Sequence, residues 1–312
     1  MPKVSVIIPV YGVEKYIERC ARSLFEQTLD DIEYLFIDDC TPDRSIEILK
    51  NVLVDYPHRK PQVNIHRMEK NSGQAAVRKW GMLNATGEYM IHCDSDDWVD
   101  TDMYRAMYEK AKEEGAELVV CDYSISDGER VINKIIGCHA SIPIEFFESI
   151  MNQIDIGALW NKLFKRKHIL TDMIWADGAM GEDLLLSLQM VYNSRSIVYI
   201  PCSYYYYFEN PISITKSLSE KDVLRRFSES IKNANGLLIF FRKYQLYDKY
   251  RNNIERLLFN KRNLLLPLVN KKYYYDLWKS TFPELNRRVL LNTCIPFRDR
   301  IKFLLIYLRV VS

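Results

Sequence analysis

The run Asp94-Ser-Asp-Asp97 sets carboxylates one residue apart directly after a short apolar segment. Carboxylates so spaced can reach one hard cation from a single loop. Mg²⁺ or Mn²⁺ takes one or two protein carboxylates and completes its shell with phosphate oxygens and water. Such an ion offsets the charge that a diphosphate gains as it leaves. A second acidic pair, Asp38-Asp39, also closes an apolar run. It can accept the N–H of a nucleobase, with Pro9-Val10-Tyr11 walling the ring. The stretch Asn71-Ser-Gly73-Gln-Ala-Ala-Val-Arg78 reads as a turn opening a helix, whose free N–H groups suit an anion. Gly181-Glu-Asp183 opens another helix. A helix N-terminus favours negative charge, which suits a general base that takes a hydroxyl proton. Each stretch also has a plain structural use, as a helix cap or an acidic turn. A lone D-x-D or a lone acidic first turn would not exclude that use.

The elements that position these groups carry more weight than any one of them. Val4 to Val10 and Tyr34 to Ile37 are short apolar runs bounded by turn residues, the pattern of buried strands. Further strands are expected at Val63–His66, Glu88–Cys93, Leu118–Asp122 and Ile197–Ile200. Between them, apolar residues recur at three- and four-residue steps, as in Ile17, Cys20, Ala21, Leu24 and Phe25. Thr41-Pro42 offers a hydroxyl cap and a first-turn proline for the second helix. The spacing also predicts helices over Gln74–Asn84, after Thr101 and over Gly181–Tyr192. Strands alternating with helices predict an α/β fold with a mostly parallel, Rossmann-like sheet covered on both faces. Ligands in such sheets bind beyond the carboxyl ends of the strands. Tyr11, Asp38-Asp39 and Asp94–Asp97 would then face one crevice. From Ser124 to Asp155 the pattern loosens, as for an insertion beside an acceptor.

The chain has 312 residues, 48% of them apolar, enough for one large domain with an appendage. Its net charge of +2 hides an asymmetry. Residues 215–312 hold 21 Lys/Arg against 8 Asp/Glu, a net of +13, and the remainder carries −11. The expected organisation is a catalytic domain over 1–214, with a nucleotide-sugar half to about 122 and an acceptor half from 123, followed by a basic helical region over 215–312. Seven scattered cysteines without C-x-x-C spacing argue for a reducing compartment. The opening Met1-Pro-Lys runs straight into Val4, so no secretory leader is read. No apolar run approaches the ~18 residues that span a bilayer.

Taken together, Val4-Ser-Val-Ile-Ile-Pro-Val-Tyr11, Ile37-Asp-Asp-Cys-Thr-Pro-Asp43, Asn71-x-Gly73 with Arg78, Ala85-Thr-Gly-Glu-Tyr89 and Asp94-Ser-Asp-Asp-Trp98 closely resemble glycosyltransferase family 2, with its GT-A fold. The resemblance continues through Trp160-Asn-Lys-Leu-Phe-Lys165, Gly181-Glu-Asp-Leu-Leu-Leu186 and Tyr205-Tyr-Tyr-Phe-Glu-Asn-Pro-Ile-Ser-Ile-Thr215. It implies an inverting transfer from a nucleotide sugar, UDP-linked, with Mn²⁺ or Mg²⁺. Asp39 would contact the base. Asp94, Ser95 and Asp96 would meet the ribose and diphosphate, with Asp96 and Asp97 on the metal. Pro9, Tyr11, Asp38, Asn71, Gly73 and Arg78 would complete the donor pocket, and Asp183 would be the catalytic base. Cys40-Thr41 departs from a common Gly-Ser, and Lys79 from a common Asn. Phe208 stands where a basic residue often follows the tyrosines, and Lys162, Lys165 or Arg166 could supply that charge instead.

The resemblance also implies a saccharide acceptor, lipid-linked in bacterial members that build surface polysaccharide, and a site at the cytoplasmic face of the cell membrane. The basic tail, ending in Ile301-Lys-Phe-Leu-Leu-Ile-Tyr-Leu-Arg-Val-Val311, combines an apolar face with cationic flanks. That suits an anionic membrane surface, and equally a helical subdomain. Nucleic acid is not expected, since no recognition module accompanies the charge. Two rival readings are a sugar nucleotidyltransferase and a silent nucleotide-sugar-binding scaffold. The first wants a glycine-rich basic loop where Tyr11-Gly-Val-Glu14 stands. The second would release no nucleoside diphosphate.

Overall fold

A computed structural model of the chain describes residues 1–166, 172–210 and 217–310. The end of the tyrosine motif, Pro211 to Thr215, and Val311 of the tail lie outside them. The chain divides into two compact units: Met1–Trp175 with Leu186–Pro211, and Ala176–Leu185 with Ile212–Ser312.

The first unit is built on a nine-stranded sheet. β1 (Val4–Val10) lies parallel between β2 (Ile32–Asp38) and β4 (Tyr89–His92), and β3 (Val63–Arg67) extends the sheet beyond β2. These strands are linked by α1 (Ile17–Phe25), α2 (Ser45–Val54) and α3 (Gln74–Asn84). Parallel strands need such crossovers, and the crossovers bury both faces. Val4, Val6, Ile8 and Val10 pack in one cluster with Ile17, Cys20, Ala21, Leu24 and Phe25 of α1. On the other face Ile7 reaches α3 so closely that a Cβ on Gly81 would lie 2.4 Å from its Cγ2. The register sets Val10 opposite Asp38 and Ile7 opposite His92. The chain therefore leaves three neighbouring strands at one edge of the sheet, just before Tyr11, Asp39 and Asp94.

Beyond β4 the expectation of a mostly parallel sheet is corrected. β8 (Lys162–Lys165) inserts between β4 and β6 (Leu118–Ser126) and runs antiparallel to both. β9 (Ile197–Phe208) is parallel to β6, while β5 (Trp98–Val99) and β7 (Val131–Ile135) pair antiparallel with β9 and β6. Four pairings are parallel and four antiparallel. The sheet is mixed. β8 is only four residues, too short for periodicity to mark it. α4 (Met103–Glu114) precedes β6, and the segment expected to be loose holds the end of β6, β7 and α5 (Pro143–Met151). α6 (Glu182–Asn193) matches its expected span, and its first four residues belong to the second unit. β9 runs eight residues past its expected end, because Tyr204–Tyr207 suit a pleated surface and pair with β5 and β6.

The second unit has no strand among its described residues. Besides the first turn of α6, it contains α7 (Glu220–Lys243), α8 (Arg251–Arg262), α9 (Lys272–Ser280), α10 (Leu285–Arg288) and α11 (Phe297–Tyr307). Ser219 caps α7 by accepting the Asp222 N–H. Trp278 is fully buried, with the Arg262 guanidinium 4.7 Å from its ring and bonded to Asn286 Oδ1 at 2.7 Å. No described helix is long and apolar enough to cross a membrane.

Candidate active site

At the end of β2, the Asp38 carboxylate accepts the Thr41 N–H at 2.7 Å and faces Arg67 at 3.2 Å. Asp39 accepts two backbone donors from the loop before α3, Ser72 N–H at 2.7 Å and Gly73 N–H at 2.8 Å. Gly73, at φ +81°, turns the chain so that both amides point back. Asp39 thus latches the Ser72–Gly73 turn to the end of β2. Each carboxylate oxygen retains a lone pair, so Asp39 can still receive a base N–H. Pro9 sits at the end of β1 opposite Ile37, and Tyr11 and Asn71 are exposed beside this edge. The helix after Asp39 starts later than expected, at Ser45. Asp43, not Thr41, is its anchor, accepting the Ser45 N–H at 3.1 Å and hydroxyl at 2.6 Å. Thr41 instead donates its hydroxyl to Asp43 and accepts the Gly12 N–H at 2.9 Å, joining two strand ends.

The three carboxylates of the acidic loop differ sharply. Asp94 accepts from Arg78 at 2.8 Å, and Arg78, buried on α3, also approaches His92 Nδ1 at 3.3 Å. Arg78 therefore points onto a carboxylate of this loop. Asp97 is buried and spent on the fold: one oxygen accepts the Tyr205 hydroxyl at 2.6 Å, the other the Phe208 N–H at 2.7 Å. Burial, reinforced by the charges of Asp96 and Asp94, pushes its carboxyl well above the usual range. Asp96 lies between them with no side-chain donor among the described residues. Its pKa is pushed up to about 6, by burial first and then by the charge of Asp94. Ser95 is buried in the turn closed by the Asp97 N–H on the Asp94 carbonyl at 3.1 Å.

An under-compensated carboxylate of this kind fits a cation: a positive charge would restore the ionised form that burial disfavours. No group of three or more acidic, His or Cys ligands occurs among the described residues. The set instead suits a divalent ion that takes one or two carboxylates here and oxygens from a diphosphate.

The basic substitutes proposed for Phe208 are corrected by position. Lys162 is fully buried, its ammonium bonded to the carbonyls of Ile156 and Ala158 and to Asn161 Oδ1. Lys165 pairs with Tyr89, and Arg166 donates to the Gly87 carbonyl at 2.9 Å. Both sit at the start of β4, the opposite end from Asp94. Besides Arg78, a second cation reaches the acidic loop, Arg19 on α1. Its guanidinium lies 3.7 Å from the Trp98 ring centroid and 5.1 Å from that of Phe208, and donates to the Asp96 carbonyl at 3.1 Å. Its contacts with Trp98 and Phe208 are long-range, and nothing in the local sequence marks it.

Tyr205 and Tyr207 lie on one side of β9 with Trp160, whose ring stacks on Tyr205 at 4.2 Å and on Tyr207 at 6.1 Å. Tyr206 turns the other way and stacks on Trp98 at 5.3 Å.

Asp183 belongs to the second unit, half-buried in the first turn of α6, where it accepts the Leu184 N–H at 2.7 Å. The loop before it is gripped by Asn233 of α7. Asn233 accepts the Asp177 N–H at 3.0 Å and donates to the carbonyls of Gly178 at 2.8 Å and Met180 at 3.1 Å. Gly178, at φ +142°, lies against α7 so tightly that a Cβ there would sit 3.0 Å from the Glu229 Cα.

Residues 5–169 match the profile of glycosyl transferase family 2. Among curated proteins, the uncharacterized glycosyltransferase EpsJ of Bacillus subtilis is 30% identical over 227 residues, 69% of this chain. The chain spans 64% of that protein, under two thirds of its length. Among solved structures, Staphylococcus aureus TarS 1–349 in complex with UDP-GlcNAc is similar at a TM-score of 0.58 and 15% identity, covering 92% of this chain and 91% of that one. The mannosyltransferase PcManGT of Pyrobaculum calidifontis, in complex with GDP-Man and Mn²⁺, gives 0.55 at 13% identity, covering 99% and 86%. Likeness at such identities speaks to the fold, here of the GT-A type. The chain belongs to glycosyl transferase family 2, and so to a class of sugar-transferring enzymes.

Proposed function

We propose that the chain transfers a sugar from a UDP-linked donor to a hydroxyl of a saccharide acceptor, with inversion and with help from a divalent cation, in the synthesis of a surface polysaccharide. The observation behind this reading is the shared edge of β1, β2 and β4, where Asp39 and the loop that carries Asp96 leave neighbouring strands. Asp39 takes an N–H of the base, with Tyr11 against the ring. Asp96, with Asp94, would hold the cation, while Asp97 is tied to Tyr205 and Phe208 and shapes the loop. When bound, Mn²⁺ or Mg²⁺ would neutralise charge on the diphosphate.

Asp183 accepts the proton of the acceptor hydroxyl. That oxygen attacks the anomeric carbon from the face opposite the diphosphate. The bond from that carbon to the diphosphate oxygen breaks, and its electron pair leaves with the nucleoside diphosphate. Support for the metal comes from the donor set of this chain and from PcManGT, which is described with Mn²⁺; UDP is favoured by TarS, described with UDP-GlcNAc. A lipid-linked acceptor would place the work beside a membrane.

The test is nucleoside diphosphate release from a panel of nucleotide sugars, with Mn²⁺ or with a chelator, for the natural chain, Asp96→Asn and Asp183→Asn. The expected result is chelator-sensitive turnover of a UDP-sugar, lost in both variants, with donor binding kept in Asp183→Asn. Full turnover by Asp96→Asn in chelator would defeat the metal assignment. Normal transfer by Asp183→Asn would defeat the base.

A further inference from the structure

The second unit presents an apolar surface to solvent where its chain is most basic. On α11, Phe303 and Ile306 face inward and are buried. Phe297, Ile301 and Leu308 fall at i, i+4 and i+11, a single stripe on the opposite side. All three are exposed, Phe297 at 70%. The turn before the helix adds Leu290 and Leu291, the latter 76% exposed. Arg300 ties the two segments together, donating to the Leu290 carbonyl at 3.1 Å with its guanidinium 5.5 Å from the Phe297 ring. Exposed Arg287, Arg298 and Lys302 are close to these apolar residues along the chain. The nearest acid along the helix, Asp299, falls toward the buried side.

A helix buried on one face and apolar on the other needs a second apolar phase. The charge says which one. The region from 215 onward carries a net of +13, so a second copy of this face would meet it with like charge. An anionic bilayer surface offers both complements: acyl chains for the leucines and phenylalanine, and headgroup phosphates for the cations. The helix, at 11 residues, is too short to span. We propose that Leu290–Val310 is a monotopic membrane foot, in which Leu291, Phe297 and Ile301 enter the headgroup boundary of an anionic leaflet while Arg298 and Lys302 bind its phosphates. This stands apart from the donor chemistry and holds whichever sugar is transferred.

The test is flotation of the full chain with vesicles of phosphatidylcholine alone and of phosphatidylcholine with phosphatidylglycerol at 7:3, a ratio of about one anionic lipid in three. The natural chain should float with the anionic vesicles and weaken at raised salt. The combined Leu291→Ser, Phe297→Ser, Ile301→Ser variant should lose at least about tenfold in partition, since each removes an inserting side chain. Arg298→Gln with Lys302→Gln should lose the preference for anionic vesicles. Unchanged circular dichroism and donor hydrolysis would show that both variants are folded. Equal flotation of the serine variant, or no flotation of the natural chain, would overturn the proposal. So would a dimer in sedimentation that the serine substitutions dissociate while vesicle binding stays absent.

Discussion

The Tyr205 hydroxyl donates to Asp97 at 2.6 Å and accepts the Asp94 N–H at 3.1 Å, so one phenol oxygen from β9 ties together both ends of the acidic loop. The ring that carries it is buried and stacked on Trp160. The loop is therefore fixed from a strand far away in sequence, and Asp96 between its held ends takes no side-chain donor among the described residues.

Tyr205→Phe keeps the stack and removes the hydroxyl. Asp97 would retain only the Phe208 N–H while staying buried, and a buried acceptor that loses a partner costs about 1–3 kcal/mol. Urea unfolding should show a lower midpoint at an unchanged slope. Metal-dependent turnover should fall more than donor binding, because the loop loosens around Asp96. Natural stability with natural turnover would show that the phenol is not the tie.

Arg78 donates to Asp94 while reaching His92, a forked arrangement that a single ammonium cannot reproduce. Arg78→Lys should lower kcat/KM by roughly tenfold, about 1.4 kcal/mol, with the loss mainly in the donor KM. Arg78→Met should lose more, since it leaves Asp94 without its cation. Equal kinetics for the lysine variant would mean that charge alone suffices.

His92 predicts a pH effect with a definite sign. It is fully buried on β4, and burial first, then the Arg78 charge, hold its pKa well below the usual value. Arg78 can only donate, so His92 Nδ1 accepts and the ring is neutral. The unfolded chain gains a proton below about pH 6.5 that the folded chain refuses, so stability is full above that pH and falls by about 1.4 kcal/mol per unit as pH drops below it. Asp96 contributes the opposite slope, but it does so in both proteins when His92→Asn is compared with the natural chain. With chelator present, the difference in unfolding free energy between the two should narrow as pH falls from 6.5 to 5. A gap that stays constant would show that His92 takes up its proton in the folded state.

The parallel strands, α3 and the meeting of Tyr11, Asp38-Asp39 and Asp94 were legible, because buried strands end in turn residues and crossovers fix which edge they share. Three things were not. β8 is too short to announce itself, so the switch to antiparallel pairing beyond β4 was missed. The difference between Asp96 and Asp97 depends on Tyr205 and Phe208, more than a hundred residues along the chain, and no local pattern encodes it. Arg19 looks like any arginine on an amphipathic helix until Trp98 is folded under it.

The same limit hid what holds the proposed base. Asp183 was assigned by the family resemblance and not by its helix start alone, and the three bonds that fix the preceding loop come from Asn233, fifty residues on. The bonds of Asn233 go to the backbone of this loop and not to Asp183, so its expected role is to position. Asn233→Asp keeps the size and the acceptor but removes both donors, leaving the carbonyls of Gly178 and Met180 without them. If the loop sets the angle of Asp183, kcat should fall by about ten- to a hundredfold, as for other small misplacements of a catalytic group, while the donor KM stays put. Amide exchange over residues 177–183 should quicken in step. A merely structural role would instead lower the melting temperature and leave kcat per folded molecule unchanged, and that outcome would remove Asn233 from the catalytic account.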